Sequence, residues 1–169
     1  MATDGRPRHL QIPAGRGRRF RVLAGIVEAK LTEPDTGGAY TVFEISSPPG
    51  GGAALLHSHP PQETFYVLEG TYDFYGIGAD GPYALRDTVG ACVQVGSGVA
   101  HGFRNVGDTA GRVLVIYEPP GKMRALFEAI HAEVDNPDPL LARQEDLPHL
   151  ERILEIFEEH DMIVIPGQA

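Results

Sequence analysis

Between about residues 19 and 118, apolar positions come in short runs separated by turn residues. Residues 19–23 and 26–32 are rich in β-branched and aromatic side chains, and Glu33-Pro34-Asp35-Thr36-Gly37-Gly38 then reads as a turn cluster. The pattern resumes over 39–46 and breaks at Ser47-Pro48-Pro49-Gly50-Gly51-Gly52. Strands are predicted over 63–68 and 72–77, meeting near Gly70, and Asp80-Gly81 is a good tight-turn dipeptide. Further strands are predicted over 89–95, 100–106 and 112–117. Short strands at regular spacing predict an all-β sandwich or barrel.

The period changes after Pro119-Pro120-Gly121. Leu126, Phe127, Ile130 and Val134 fall at helical spacing, and Asp135-Asn136-Pro137-Asp138-Pro139 ends that segment. A second stripe runs through Leu147, Leu150, Ile153, Leu154 and Phe157, with Glu151, Glu155, Glu158 and Glu159 on the other side. Two such helices cannot enclose a core alone, so they are expected to lie against the barrel. The predicted organisation is an N-terminal arm over 1–18, a barrel over 19–118 and a C-terminal α-helical appendage over 119–169. The arm carries Arg16, Arg18, Arg19 and Arg21 at its end, expected as a solvated basic cluster.

Composition narrows the function classes. The chain has 169 residues, enough for one domain with a proper core. Its 21 Gly and 14 Pro fit many turns between short strands. A formal net charge of −9 argues against nucleic-acid or anionic-membrane partners, which need a basic surface. The single cysteine, Cys92, cannot form an intramolecular disulfide and is expected as a small core residue within Ala91-Cys92-Val93. The first 21 residues lack the apolar stretch of a signal peptide, and no apolar run approaches the roughly 20 residues of a membrane helix. A cytoplasmic location is the expectation.

Candidate chemistry centres on His57, His59, Glu63 and His101. Residues i and i+2 of a strand face the same side, so His57 and His59 point together. Pro60-Pro61 break that strand, and Glu63 opens the next with Phe65 and Val67 on its face. His101 begins a later strand that carries Phe103 and Asn105 on the same face. Imidazole nitrogens with one carboxylate suit Fe, Mn, Co, Ni, Cu or Zn rather than Ca or Mg. Four ligands leave one or two coordination positions free, which distinguishes a working metal from a structural one. His9, His131, His149 and His160 have no such setting, and His131 and His160 are expected at the surface of helices.

The surrounding spacing adds a resemblance. Gly51-x5-His57-x-His59-x3-Glu63-x6-Gly70 resembles the first motif of the cupin family, and Gly90-x5-Gly96-x-Gly98-x2-His101-x3-Asn105 resembles the second. Gly96 stands where the family usually has proline; the other signature positions match in type and order. The resemblance covers about residues 20–118. It implies a cupin jelly-roll β-barrel with one divalent transition metal per chain held by His57, His59, Glu63 and His101, with Asn105 structural. Within the family the chain looks like the small single-domain, quercetin-dioxygenase-like members, which are commonly homodimers. The strand Val113-Leu114-Val115-Ile116 and the N-terminal strand are then the expected interface elements.

Fold does not fix function in such a family. The leading expectation is a dioxygenase acting on a small enolic or phenolic, flavonol-like molecule. Glu63 would be the catalytic base, and Phe65, Val67, Tyr72, Phe74 and Phe103 would line the substrate pocket. A non-redox isomerase or cyclase, or a non-catalytic small-molecule binder, would use the same residues. The acidic C-terminal helices offer nothing to DNA, which disfavours a regulator. Elemental analysis of the purified protein should find about one transition-metal ion per chain, lost in His59→Ala and Glu63→Ala; full occupancy in both variants would refute the ligand assignment.

Overall fold

The computed structural model describes residues 9–134 and 148–166. Most of the first predicted segment, residues 1–8, lies outside the described residues, as do the predicted helix stop at 135–139 and Leu147.

The barrel is made of two facing antiparallel sheets. Its elements in chain order are β1 (Arg19–Val22), β2 (Gly25–Leu31), the short helix α1 (Glu33–Thr36), β3 (Thr41–Ser47), β4 (His57–Ser58) and β5 (Gln62–Glu69), followed by β6 (Thr71–Gly78), β7 (Gly81–Thr88), β8 (Cys92–Val95), β9 (Ala100–Asn105) and β10 (Gly111–Glu118). The chain then forms α2 (Met123–Val134), α3 (Pro148–Glu159) and β11 (Ile163–Val164). One sheet has the strand order β1-β2-β3-β10-β5-β8 and the other β11-β4-β9-β6-β7. The fold is the expected all-β jelly roll with a C-terminal helical part.

Period-2 alternation accounts for the core. On β3, Phe43 and Ile45 are buried; on β5, Glu63, Phe65 and Val67; on β10, Val113, Val115 and Tyr117. Between the sheets, Phe65 packs against Phe74 and Phe103, each at 5.1 Å between ring centroids. Tyr72 joins Phe74 and Phe103 in the same aromatic layer. Gly70 closes the β5–β6 hairpin at φ 89°, where a Cβ would meet the Cα of Gly111 at 3.0 Å.

The helices are part of that core rather than a separate layer. Met123, Leu126, Phe127 and Ile130 of α2 and Ile153, Ile156 and Phe157 of α3 are buried in one cluster with the barrel residues. Phe127 meets Phe43 edge-on at 5.1 Å, joining α2 to the sheet. β11 then pairs with β4, Val164 opposite His57, so the chain after α3 returns to the barrel.

Several expectations change. The strand β7 was not foreseen, because as an outer strand with most side chains exposed it shows no apolar alternation. The turn cluster at 33–38 contains α1, whose start is fixed by Asp35 accepting the Thr32 backbone N–H at 2.9 Å. Cys92 is exposed: β8 is an edge strand, and alternation sends Val93 and Val95 inward and Cys92 and Gln94 outward. On α3 the packed stripe is Ile153, Ile156 and Phe157, while Leu150 and Leu154 face solvent. Arg18 and Arg19 are not free charges, for they pair with Glu128 at 2.7 Å and Glu28 at 3.1 Å. His131 is half-buried, and its Nδ1 accepts the Arg21 backbone N–H at 3.1 Å. β10 lies inside its sheet with both edges paired, and Val113 and Val115 point into the core; β1 is an outer strand of the same sheet and packs against α2.

Ile156→Ala, which removes a fully buried side chain from the contact of α3 with the barrel, should cost about 2–5 kcal/mol in denaturant unfolding. Leu154→Ala, half-exposed on the same helix, should cost well under half of that.

Candidate metal centre

The corner between the two sheets builds the site. β4 ends at Ser58, Pro60 and Pro61 supply no N–H to continue its ladder, and the chain crosses to the other sheet as β5. His57 on β4 pairs directly with His101 on β9. His59 stands at the corner, and Glu63 reaches in from β5. All four side chains are buried, and their ligand atoms lie within 4.8 Å of one another. The ring centroids of His57 and His101 are 4.5 Å apart, and those of His59 and His101 are 5.0 Å apart.

The backbone sets each ring. His57 Nδ1 donates to the Leu55 carbonyl at 2.7 Å, His59 Nδ1 to the Pro61 carbonyl at 3.0 Å and His101 Nδ1 to the Val99 carbonyl at 2.8 Å. A carbonyl oxygen only accepts, so each Nδ1 carries the hydrogen and each Nε2 lone pair is left for the centre. Such outer partners fix the tautomer and aim of metal-binding histidines. His59 Nε2 and His101 Nε2 lie 3.1 and 2.8 Å from the same oxygen, Glu63 Oε2. Lone pairs facing a carboxylate at that range need a cation between them, and a proton or a divalent metal meets that need. The donor set of three nitrogens and one oxygen therefore fits a transition-metal ion.

The electrostatics follow from burial and from these contacts. Burial alone would raise the Glu63 carboxyl, but its contacts with the His101 and His59 rings outweigh that and hold the group well below the usual carboxylate range. Burial, reinforced by His101, lowers His57 to about 4. For His101 the penalty of burial is exceeded by the Glu63 contact, and its pKa is raised.

The turn ahead of His101 is held although Gly96 replaces the proline of the family pattern. Gly98, at φ 71°, donates its N–H to the His59 carbonyl at 2.9 Å, and Ser97 Oγ donates to the Pro60 carbonyl. Asn105 is fully buried and structural: its Nδ2 donates to the carbonyls of Ser47 and Thr109 at 3.0 and 2.8 Å.

A cavity of about 110 Å³ meets the cluster at His57 and Glu63. Of the five side chains expected to line a pocket, Phe103 does so; Phe65, Val67, Tyr72 and Phe74 fill the barrel interior instead. Phe65, Tyr72, Phe74 and Phe103 pack on one another in the layer between the sheets. The lining not foreseen comes from the first sheet, with Val22, Val27, Ile45 and Tyr117, and from the helices, with Met123, Leu126, Phe127 and Phe157. Tyr117 sits opposite Glu63 on the neighbouring strand and lies 5.6 Å from the His59 ring. Burial first, and Glu63 second, keep its hydroxyl protonated far above the usual tyrosine range. The alternation Val113, Val115, Tyr117 marks it as inward-facing, but only the strand pairing brings it to Glu63.

An antiparallel barrel with a buried three-histidine, one-carboxylate cluster defines a metal-binding jelly roll. Residues 43–117 match the family model described as the cupin domain. A tryptophan-to-tyrosine variant of oxalate decarboxylase from Bacillus subtilis has the same fold, with a TM-score of 0.54 and 15% identity over 60% of this chain and 27% of that one. A further oxalate decarboxylase structure, described by its substrate binding mode and a reaction specificity switch, gives 0.53 and 14%, again over 60% and 27%. An oxalate oxidase is 22% identical over 56% of this chain and 51% of that one, with a TM-score of 0.49. This chain thus spans about a quarter of the oxalate decarboxylases and about half of the oxalate oxidase. No curated protein matches it. No helix among the described residues is long and apolar enough to cross a membrane.

Because folded His57 protonates near 4 and an unfolded histidine near 6.5, this group's contribution to stability falls as pH drops through that window. His101, being raised, acts in the opposite sense. Urea unfolding of metal-free protein at pH 6.5 and 4.5 should therefore show a smaller acid-induced loss in His57→Gln than in wild type; an equal loss would place the neutral imidazole elsewhere.

Proposed function

We propose that the protein is a metal-dependent dioxygenase acting on a small enolic or phenolic substrate, flavonol-like in carrying an acidic hydroxyl on a conjugated body. The observation that carries this reading is the opening of the buried cluster, at His57 and Glu63, onto an apolar cavity. His57, His59, Glu63 and His101 would hold the ion, and manganese is among the candidates because one of the matched oxalate decarboxylases is described with Mn(II) centers. When bound, a redox-capable ion supplies a Lewis-acidic centre at which O2 and an enolate can react.

The chain's own residues do the rest. Glu63 takes the substrate hydroxyl proton at the carboxylate oxygen not engaged by His59 and His101. Tyr117, beside Glu63, fixes the orientation of that carboxylate. The apolar wall positions the substrate body and excludes water, so that both oxygen atoms of O2 enter product and no external reductant is consumed. A homodimer belongs to the same reading.

A second reading, a non-redox isomerase or cyclase, draws on the Glu63–Tyr117 pair, which could pass a proton between two positions of a substrate without O2. Oxygen-electrode assays with enols and phenols on iron-, manganese-, nickel- and copper-loaded protein separate the two. Stoichiometric O2 uptake that falls at least about a hundredfold in Glu63→Gln supports the dioxygenase. Substrate turnover with no O2 uptake overturns it in favour of the second reading.

A further inference from the structure

The cavity in front of His57 and Glu63 is lined by Met123, Leu126 and Phe127 of α2, Phe157 of α3 and Met162 just beyond it, together with Val22, Val27 and Ile45 of the sheet. Its ionisable lining groups are His57, Glu63 and Tyr117, and among the described residues no lysine or arginine reaches it. A ligand with one oxygen head at the cluster can satisfy that head there. A second anionic group would be desolvated against leucine, methionine and phenylalanine with no counter-ion, a cost of several kcal/mol. An apolar body in the same place gains roughly 25 cal/mol for each Å² removed from water. Size adds a further limit: about 110 Å³ is of the order of the roughly 150 Å³ apolar cavity that accepts a benzene molecule.

We propose that α2 and α3 make this a one-headed site, which takes a small molecule with a single oxygen head and an apolar body of one ring or a short chain. It rejects dicarboxylates such as oxalate and skeletons as large as a three-ring flavonol. The placement of the head rests on the metal-site reading above, whereas the choice of body rests on the apolar lining that the helices share with the sheet. Leu126, buried at the base of the cavity wall, is a specificity-determining residue on this account.

Titration calorimetry of metal-loaded protein with benzohydroxamate, acetohydroxamate and oxalate tests the proposal. Benzohydroxamate should bind at least about tenfold more tightly than acetohydroxamate, because only the ring adds buried apolar area. Oxalate should bind more weakly than either. Leu126→Arg should bring oxalate above benzohydroxamate. If that variant does not fold, Leu126→Ala, which enlarges the chamber without charge, should keep the wild-type order. Equal affinity for the two hydroxamates, oxalate binding as tightly as benzohydroxamate, or a flavonol binding more tightly than the single ring would overturn the proposal. Fluorine NMR of fluorobenzene with metal-free protein makes the two readings separable. Binding there supports the apolar chamber even if no metal can be loaded, in which case only the metal reading fails; absence of binding overturns the chamber itself.

Discussion

Three imidazoles and one carboxylate are buried inside the barrel so that their lone pairs converge. Each Nδ1–H is committed to a backbone carbonyl, at Leu55, Pro61 and Val99, so no ring can turn to relieve the crowding at Glu63 Oε2. The result is a centre that needs a cation and has been given its direction in advance. Much of the surrounding architecture follows from this constraint. The chain must change sheets between His59 and Glu63, β4 must lie beside β9, and the turn at Gly98 must tie back to His59.

The second organising feature is the way the barrel mouth is closed. α2 and α3 complete the hydrophobic core and at the same time form the wall of the cavity. A single set of apolar side chains thus contributes to stability and sets what the site can admit. β11 adds a mechanical link, since Val164 pairs with His57 itself. Displacement of the cap would therefore disturb the strand that carries a ligand. Tyr117 joins the two features, as it faces Phe43 and Phe127 on the core side and Glu63 and His59 on the other.

The all-β class was legible in the sequence from local periodicity, and the four candidate ligands from the spacing of two motifs that resemble those of the cupin family. Alternation put Glu63, Phe65 and Val67 on one face, and the spacing of two histidines followed by a proline corner announced convergence. The same alternation misplaced Cys92, because an apolar run cannot say whether its strand lies at an edge, and it passed over β7, whose side chains are mostly exposed. The helical stripes were also legible, though on α3 the buried face is rotated from Leu150 and Leu154 to Ile156, since several apolar positions compete for one contact.

By itself, then, the sequence determined the barrel, its helical tail and the four side chains of the candidate metal centre, since each depends on residues close in the chain or on a fixed pattern. Only the tertiary structure decided what stands in front of the cluster. Tyr117 meets Glu63 through strand pairing across more than fifty residues, and Leu126, Phe127 and Phe157 reach the cavity through packing. Long-range register and the choice among equally apolar faces are settled by the whole core at once, so the pocket lining is written in no single segment.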